Sequence, residues 1–203
     1  MGSRERKKYR TEFHVHTRFS HDSFLGRCAL LMMCKIRRID AVAITDHNEI
    51  EGALALKSYL ENNGVSVIVG EEIFTSEGEI IGLFLKDRVE PGLTPEDTVA
   101  EIKRQNGIVY VPHPYDEKRH KTVLSHAAFE RCSNWVDCAE IHNGRNVDLR
   151  FSAVQKRICE EMGVLPIVGG DAHCFFEIGR NICITQVPFD RGSFHCVLKN
   201  ATF

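Results

Sequence analysis

Two short frames at opposite ends of the chain, His14-Val15-His16 and Asp171-Ala172-His173, each place two metal-ligand side chains at i and i+2. In an extended strand alternate side chains share a face, so each frame presents a pair of donors to one side. The two pairs meet only if the first and last strands are neighbours, as they are when a sheet closes into a barrel. Other donors also follow apolar runs: Asp46-His47 after Ile44, Glu71-Glu72 after Val69, His113 after Val111 and His142-Asn143 after Ile141. One such residue, Asp46 for example, reads as a helix cap. Six successive strand ends read as a site, because parallel barrels and doubly wound sheets keep their active sites at that end.

Imidazole and carboxylate donors without thiolate suit zinc, manganese or iron(II). Two or three such ions outweigh the charge of Asp22, Glu72 and Asp171 with Glu79 or Asp46, leaving a neutral to cationic pocket that attracts phosphate. Ions about 3.5–4 Å apart also lower the pKa of a shared hydroxide toward ~7, which makes a nucleophile at neutral pH. Asp46 or His47 is placed to handle the leaving-group proton. Planar guanidinium suits phosphate recognition. Arg18 lies two residues past His16, Arg145 follows His142-Asn143-Gly144, and Arg180 follows Glu177-Ile178-Gly179. All three are candidate substrate-binding residues, and Arg18 a catalytic one as well.

With 203 residues, 43% of them hydrophobic, the chain supports one domain with a substantial core. We place that domain at 11–203, after a basic tail over 1–10 carrying Arg4, Arg6, Lys7, Lys8 and Arg10. Net charge is −2, from 26 basic and 28 acidic side chains, so nothing global points to nucleic acid or a membrane. No apolar run approaches the roughly 18 residues of a membrane span, and no secretory h-region is visible. Eight dispersed cysteines without a CxxC pair suggest reduced core residues in a cytoplasmic protein. Cys28 and Cys34 lie in apolar surroundings, and Cys174, beside His173, is a candidate rim thiol.

Short strands and helices alternate along the chain. Strands are expected at 12–16, 41–44, 65–69, 79–85, 108–111, 136–141, 165–168 and 182–187. Helices are expected at 25–38, 49–62, from Thr94-Pro95 to Asn106-Gly107, at 123–131, and from Leu149 to Met162. This alternation implies a parallel sheet covered on both faces. Phe13, Trp135 and Phe175-Phe176 read as core or rim packing, and His120, His126 and His195 as surface or cap residues.

The motifs His14-Val15-His16-Thr17, Ser20-His21-Asp22, Thr45-Asp46-His47, Gly70-Glu71-Glu72, His113-Pro114 and Gly170-Asp171-Ala172-His173 occur in order over about residues 11–188. In this the chain resembles the PHP domain family, named for polymerases and histidinol phosphatases. The resemblance implies an α/β fold, a distorted seven-stranded (β/α) barrel holding two or three divalent metals, and hydrolysis of phosphate esters. By the same resemblance His14, His16, Asp22, His47, Glu72, His113, Asp171 and His173 are metal ligands, with His21 a competitor of Asp22 and Asp46 a ligand or a support. Glu79 stands where many relatives carry histidine, and we include it as a ligand. His142 or Asn143 faces the site.

The favoured function is a metal-dependent phosphoesterase acting on a small phosphomonoester or a nucleotide. A nuclease using the same site is the second reading, and it expects salt-sensitive nucleic-acid affinity. A non-catalytic metal-binding module is the third; it requires missing ligands, and nearly all are present. Metal-dependent amide hydrolysis is the fourth, weakened by the lack of a strand-end lysine as a bridging ligand.

Overall fold

The computed structural model describes residues 7–116, 118–146 and 150–203. The elements run β1 (Tyr9–Val15), α1 (Arg27–Arg37), β2 (Ala41–Ile44), α2 (Glu51–Asn62), β3 (Ser66–Thr75), β4 (Gly78–Leu83), α3 (Pro95–Arg104) and β5 (Ile108–Val111). They continue with α4 (His126–Cys132), β6 (Cys138–Asn143), α5 (Arg150–Met162), β7 (Leu165–Gly169), β8 (Cys183–Thr185) and α6 (Phe194–Lys199). Helix α3 starts as its sequence dictates: Thr94 caps it by accepting from Asp97 N at 3.1 Å, and Pro95 occupies the first turn.

Eight strands form one sheet in the order β7-β6-β5-β4-β3-β2-β1-β8. The stretch after β7 then closes the ring on β1: Gly170 N donates to Phe13 O at 2.7 Å, and His16 N donates to Ala172 O at 2.9 Å. Seven strands thus make the wall, and β8 is an eighth, antiparallel to the start of β1 through Tyr9–Thr11. The sheet is mixed rather than wholly parallel. β4 runs antiparallel to both β3 and β5 because only Ser76 and Glu77 separate it from β3, too few residues for a crossover. β1 begins inside the stretch read as a tail, at Tyr9; Arg4 and Arg6 lie outside the described residues, as do Asp148 and the expected start of α5 at Leu149.

Side-chain alternation sorts the strands into two apolar layers. Phe13, Ala43, Ile68, Ile81, Tyr110, Cys138 and Ile167, one from each wall strand, pack together inside the barrel. Their neighbours Val42, Ile44, Val67, Val69, Ile80, Val109, Val111 and Ala139 face the helices. A segment the sequence reading passed over, ending in α6, plugs the bottom, where the Phe189 and Phe194 rings lie 5.1 and 6.3 Å from Phe13. The lower barrel is therefore a packed core, not a pore. The inward parity continues upward: Ile68 leads to Glu72, Ile81 back to Glu79, and Cys138 on to Glu140. Carboxylates enter the top of the barrel on the same register that fills its base with hydrocarbon.

Two packing expectations need correcting. Trp135 is exposed beside α3 rather than packed, and Cys28 and Cys196 are exposed rather than core. Cys34, Cys132, Cys138, Cys159 and Cys183 are buried, and all eight thiols are free. No helix among the described residues is long and apolar enough to cross a membrane.

Candidate metal centre

Glu72 is the hub. Its Oε1 lies 3.2 Å from His14 Nε2 and 3.1 Å from His113 Nε2. Its Oε2 lies 3.2 Å from both His16 Nε2 and His47 Nδ1. Four overlapping donor sets follow, each with its ligand atoms within 4.8 Å of one another: His16–His47–His173, His14–Glu72–His113, His14–His16–Asp171 and His47–Glu72–Glu79. Eight of the nine expected ligands belong to these sets. The ninth, Asp22, borders them, with Oδ2 3.1 Å from His173 Nε2 and 3.5 Å from His47 Nε2.

His14 and His16 converge, but not by simple strand alternation. β1 changes register between Glu12 and Val15, and His14 has φ 66°. His113 (φ 29°) and Asp171 (φ 49°) also lie in the left-handed region. Each such residue costs of order 1–3 kcal/mol and persists only where its surroundings fix it.

Supporting groups do the fixing. Glu140, fully buried, accepts from His14 Nδ1 at 2.8 Å, His113 N at 2.7 Å, Asn143 Nδ2 at 2.8 Å and the Tyr110 hydroxyl. Any side chain at Gly169 would strike Glu140 and Tyr110, so only glycine leaves them room. Ser20 Oγ donates to Asp46 Oδ1 at 2.8 Å, so it accepts from His16 Nδ1 at 3.2 Å and His47 N at 3.0 Å. His173 Nδ1 donates to Asp171 O at 2.9 Å. In His14, His16 and His173 the supported nitrogen is Nδ1, which leaves Nε2 for the centre.

The Nε2 atoms of His14 and His16 are buried and have no hydrogen-bond partner. A buried polar atom without a partner costs about 1–3 kcal/mol, and a ligated cation removes that cost. The ionisation pattern agrees. Burial opposes charge on His14, yet Glu72, Asp171 and Glu140 hold its pKa well above the ordinary value. Its neighbour His16 is lowered to about 3, by burial and by His14 and His173. Burial and the nearby Glu72 push Glu79 up to about 10. Glu72, Asp171 and Glu140 are held below the ordinary carboxylate range despite burial, chiefly by His14, and this mixed imidazole and carboxylate donor set fits divalent ions.

A model of the PHP domain family matches residues 12–161. The chain belongs to the PHP domain family. The uncharacterized protein MJ1587 of Methanocaldococcus jannaschii is 41% identical over 116 residues, covering 52% of this chain and 68% of its own length. A second uncharacterized protein of that organism, MJ0417, is 27% identical over 173 residues, covering 84% of this chain and 68% of its own. Among solved structures, a two-domain protein of Bacteroides vulgatus, described as containing a predicted PHP-like metal-dependent phosphoesterase, superposes with TM-score 0.75 at 17% identity. That match covers 97% of this chain and 65% of the other, and it shows the shared fold.

Within this PHP domain several assignments move. Asp46 falls in none of the four donor sets; Thr17 N and Oγ1 and Ser20 Oγ donate to its oxygens at 2.6, 2.7 and 2.8 Å. It anchors the loop after β1, pressed against Gly52, where a Cβ would collide with it. His47 stays with the donors. Glu71 turns outward and accepts from Val89 N at 2.8 Å. His142 also faces outward, to Ser152 Oγ at 2.6 Å, whereas Asn143 faces the site. Cys174 is a partly exposed thiol whose pKa is held up at about 11 by burial and Glu177.

The arginines differ most. Arg18 is exposed, and no side-chain partner is found for it among the described residues. Arg145 and Arg180 approach Glu177 Oε1 at 3.4 and 3.6 Å, on the loop after His173. The arginine that reaches the centre is Arg119, whose Nη2 donates to Asp171 Oδ2. The sequence reading missed it because Lys118-Arg119-His120-Lys121 looks like a solvated basic run. Beside the donors lies a cleft of about 320 Å³ lined by His21, Asp22, His47, Asn48, Phe74, Glu79, Lys121 and Thr122.

Proposed function

We propose that this chain is a metal-dependent phosphoesterase, a hydrolase acting on a small phosphomonoester or a nucleotide phosphate. The observation that carries the reading is the pair of buried, unpartnered Nε2 atoms of His14 and His16, aimed at a carboxylate whose two oxygens each face two imidazoles. His14, His16, Asp22, His47, Glu72, Glu79, His113, Asp171 and His173 hold two or three ions, of zinc, manganese or iron. When bound, such ions supply positive charge to a phosphate and make water nucleophilic near neutral pH. The protein's part is orientation: Glu140 and Ser20 fix the imidazoles, while the cleft beside His47 and Asp22 admits the ester. Lys121 in the cleft, with Arg145 and Arg180 near His173, supplies cationic groups for the anion.

One observation favours the second reading, cleavage of nucleic-acid phosphodiesters. Phe19, Phe24, Phe74, Phe175 and Phe176 are exposed on the segments that carry Asp22, Glu72 and His173. Exposed rings of that kind stack bases. Purified protein reconstituted with each metal and assayed against phosphomonoesters, nucleotides and oligonucleotides separates the readings. Turnover of monoesters and nucleotides alone supports the first, and cleavage of internal linkages supports the second. Stoichiometric metal without turnover on any ester overturns both in favour of a binding module.

A further inference from the structure

We propose that Arg119 is a positioning residue of the metal centre, whose guanidinium makes Asp171 present a single oxygen to the His14–His16 corner. This rests on metal binding as read above. Asp171 is divided between two environments. Its Oδ1 lies 3.6 Å from both His14 Nε2 and His16 Nε2, while Arg119 Nη2 takes its Oδ2. The same Nη2 lies 3.4 Å from Asn143 Oδ1, and Arg119 Nε donates to Asp116 Oδ2 at 3.1 Å. Asn143 in turn donates to Glu140, which accepts from His14 Nδ1. One side chain therefore touches the carboxylate donor directly and the histidine donor through three hydrogen bonds.

The route to His113 is shorter still. Arg119 N donates to Asp116 O at 2.9 Å, and Asp116 N donates to His113 O at 3.3 Å, so the turn bearing Arg119 grows directly from the end of β5. Outside restraint helps Asp171, because its φ of 49° lies in the left-handed region, where a non-glycine residue carries strain. Arginine suits the task where lysine does not: its rigid fork spans acceptors on three segments, whereas an ammonium is a point charge on a flexible stem. Freed from the fork, both Asp171 oxygens can turn to the same ion, or neither.

The test is cobalt(II) titration of the full chain, comparing wild type with Arg119→Lys, which keeps the charge and so isolates the geometry. Groups that orient ligands typically account for 10–100-fold in metal affinity. We expect Arg119→Lys to weaken cobalt binding by about that factor and to shift the visible d–d absorption bands, which report ligand geometry. Asp116→Asn, which weakens the Nε contact by removing the carboxylate charge, should shift the bands in the same direction by less, and it carries the test should the lysine variant fail to fold. Wild-type affinity and spectrum in Arg119→Lys, or in Asp116→Asn where it stands in, overturn this inference alone. A lower melting temperature in chelator with an unchanged cobalt spectrum overturns it too, by reducing Arg119 to a loop brace. Failure of the wild type to take up cobalt overturns the metal reading and this inference together.

Discussion

The two halves of the donor cluster are built from the same chemistry and meet solvent differently. His14, Glu72 and His113 form a closed corner, their side chains 0, 1 and 0% exposed. His16, His47 and His173 with Asp22 form an open one, where His47 is 15% and Asp22 39% exposed. In the closed corner Glu140, rooted in the barrel itself, holds the His14 imidazole and the backbone N of His113. In the open corner the supports are Ser20 and a backbone carbonyl on loops. Burying ionisable groups is costly unless they are paired, so a bound cation should stabilise the closed corner more than the open one. The open corner gives that up for access, which a substrate requires.

Glu72 belongs to both corners, and its loss should have the largest effect. Glu72→Gln is nearly isosteric but removes the charge facing four imidazoles, so metal content should fall by at least one ion and turnover should be lost. Elemental analysis and an ester assay check this. Chelation of the wild type should lower the melting temperature, since an ion at 100 times its Kd adds about 2.7 kcal/mol to the folded state. The difference between corners predicts the order of release: under graded chelator the open corner should empty first, seen as two steps in metal content. A single step would mean that the two corners act as one.

Glu140→Gln acts on the closed corner alone. The amide can still accept one bond, but it places a donor where His14 or His113 already donates. Metal affinity should drop about 10–100-fold, with the open-corner ion less affected. Glu79→Ala should have a smaller effect. Glu79 lies 3.5 Å from His47 Nδ1 and from His113 Nε2, between the corners. Its removal should cost one ion and leave the remainder, whereas Glu79→His should keep the count and shift preference toward zinc. Unchanged metal content in both variants would show Glu79 to be a bystander.

The contrast also explains which parts were legible in the sequence. Strand ends followed by His, Asp or Glu were readable because apolar runs and polar punctuation are local features. The destination of His14 and His16 was foreseen, although a bulge and a left-handed residue bring them together rather than plain alternation. Closure of β1 against residues 170–172 followed from the two outer frames. Orientation was legible only in part. Glu72 was placed ahead of Glu71 by its spacing after Gly70, but nothing local reveals that Asp46 turns to Thr17 and Ser20 while adjacent His47 does not. Arg119 was hidden because its partners Asp171 and Asn143 are distant in sequence and its own neighbours look solvated. β4 was found as a strand but given the wrong direction, since the alternating pattern outweighed the two-residue turn before it.

Arg18→Ala should have the smallest effect. The sequence places this arginine two residues past His16, and proximity suggests a phosphate anchor. The fold leaves its side chain exposed on the open side, without the neighbours that pre-set Arg119. Holding a free arginine on a substrate costs up to about 1.5–2 kcal/mol of rotamer entropy, and an exposed charge pair nets only about 0–1 kcal/mol once that cost is met. We therefore expect metal content to be unchanged and kcat/KM to fall by no more than about 5-fold, by the rule that 1.4 kcal/mol is tenfold. Steady-state kinetics at low and high salt check this, because a long-range contribution from Arg18 would fade as screening rises. A loss of 100-fold or more, independent of salt, would show Arg18 folding down onto the bound phosphate. The open corner would then be pre-organised by its substrate, as the closed corner is by the barrel.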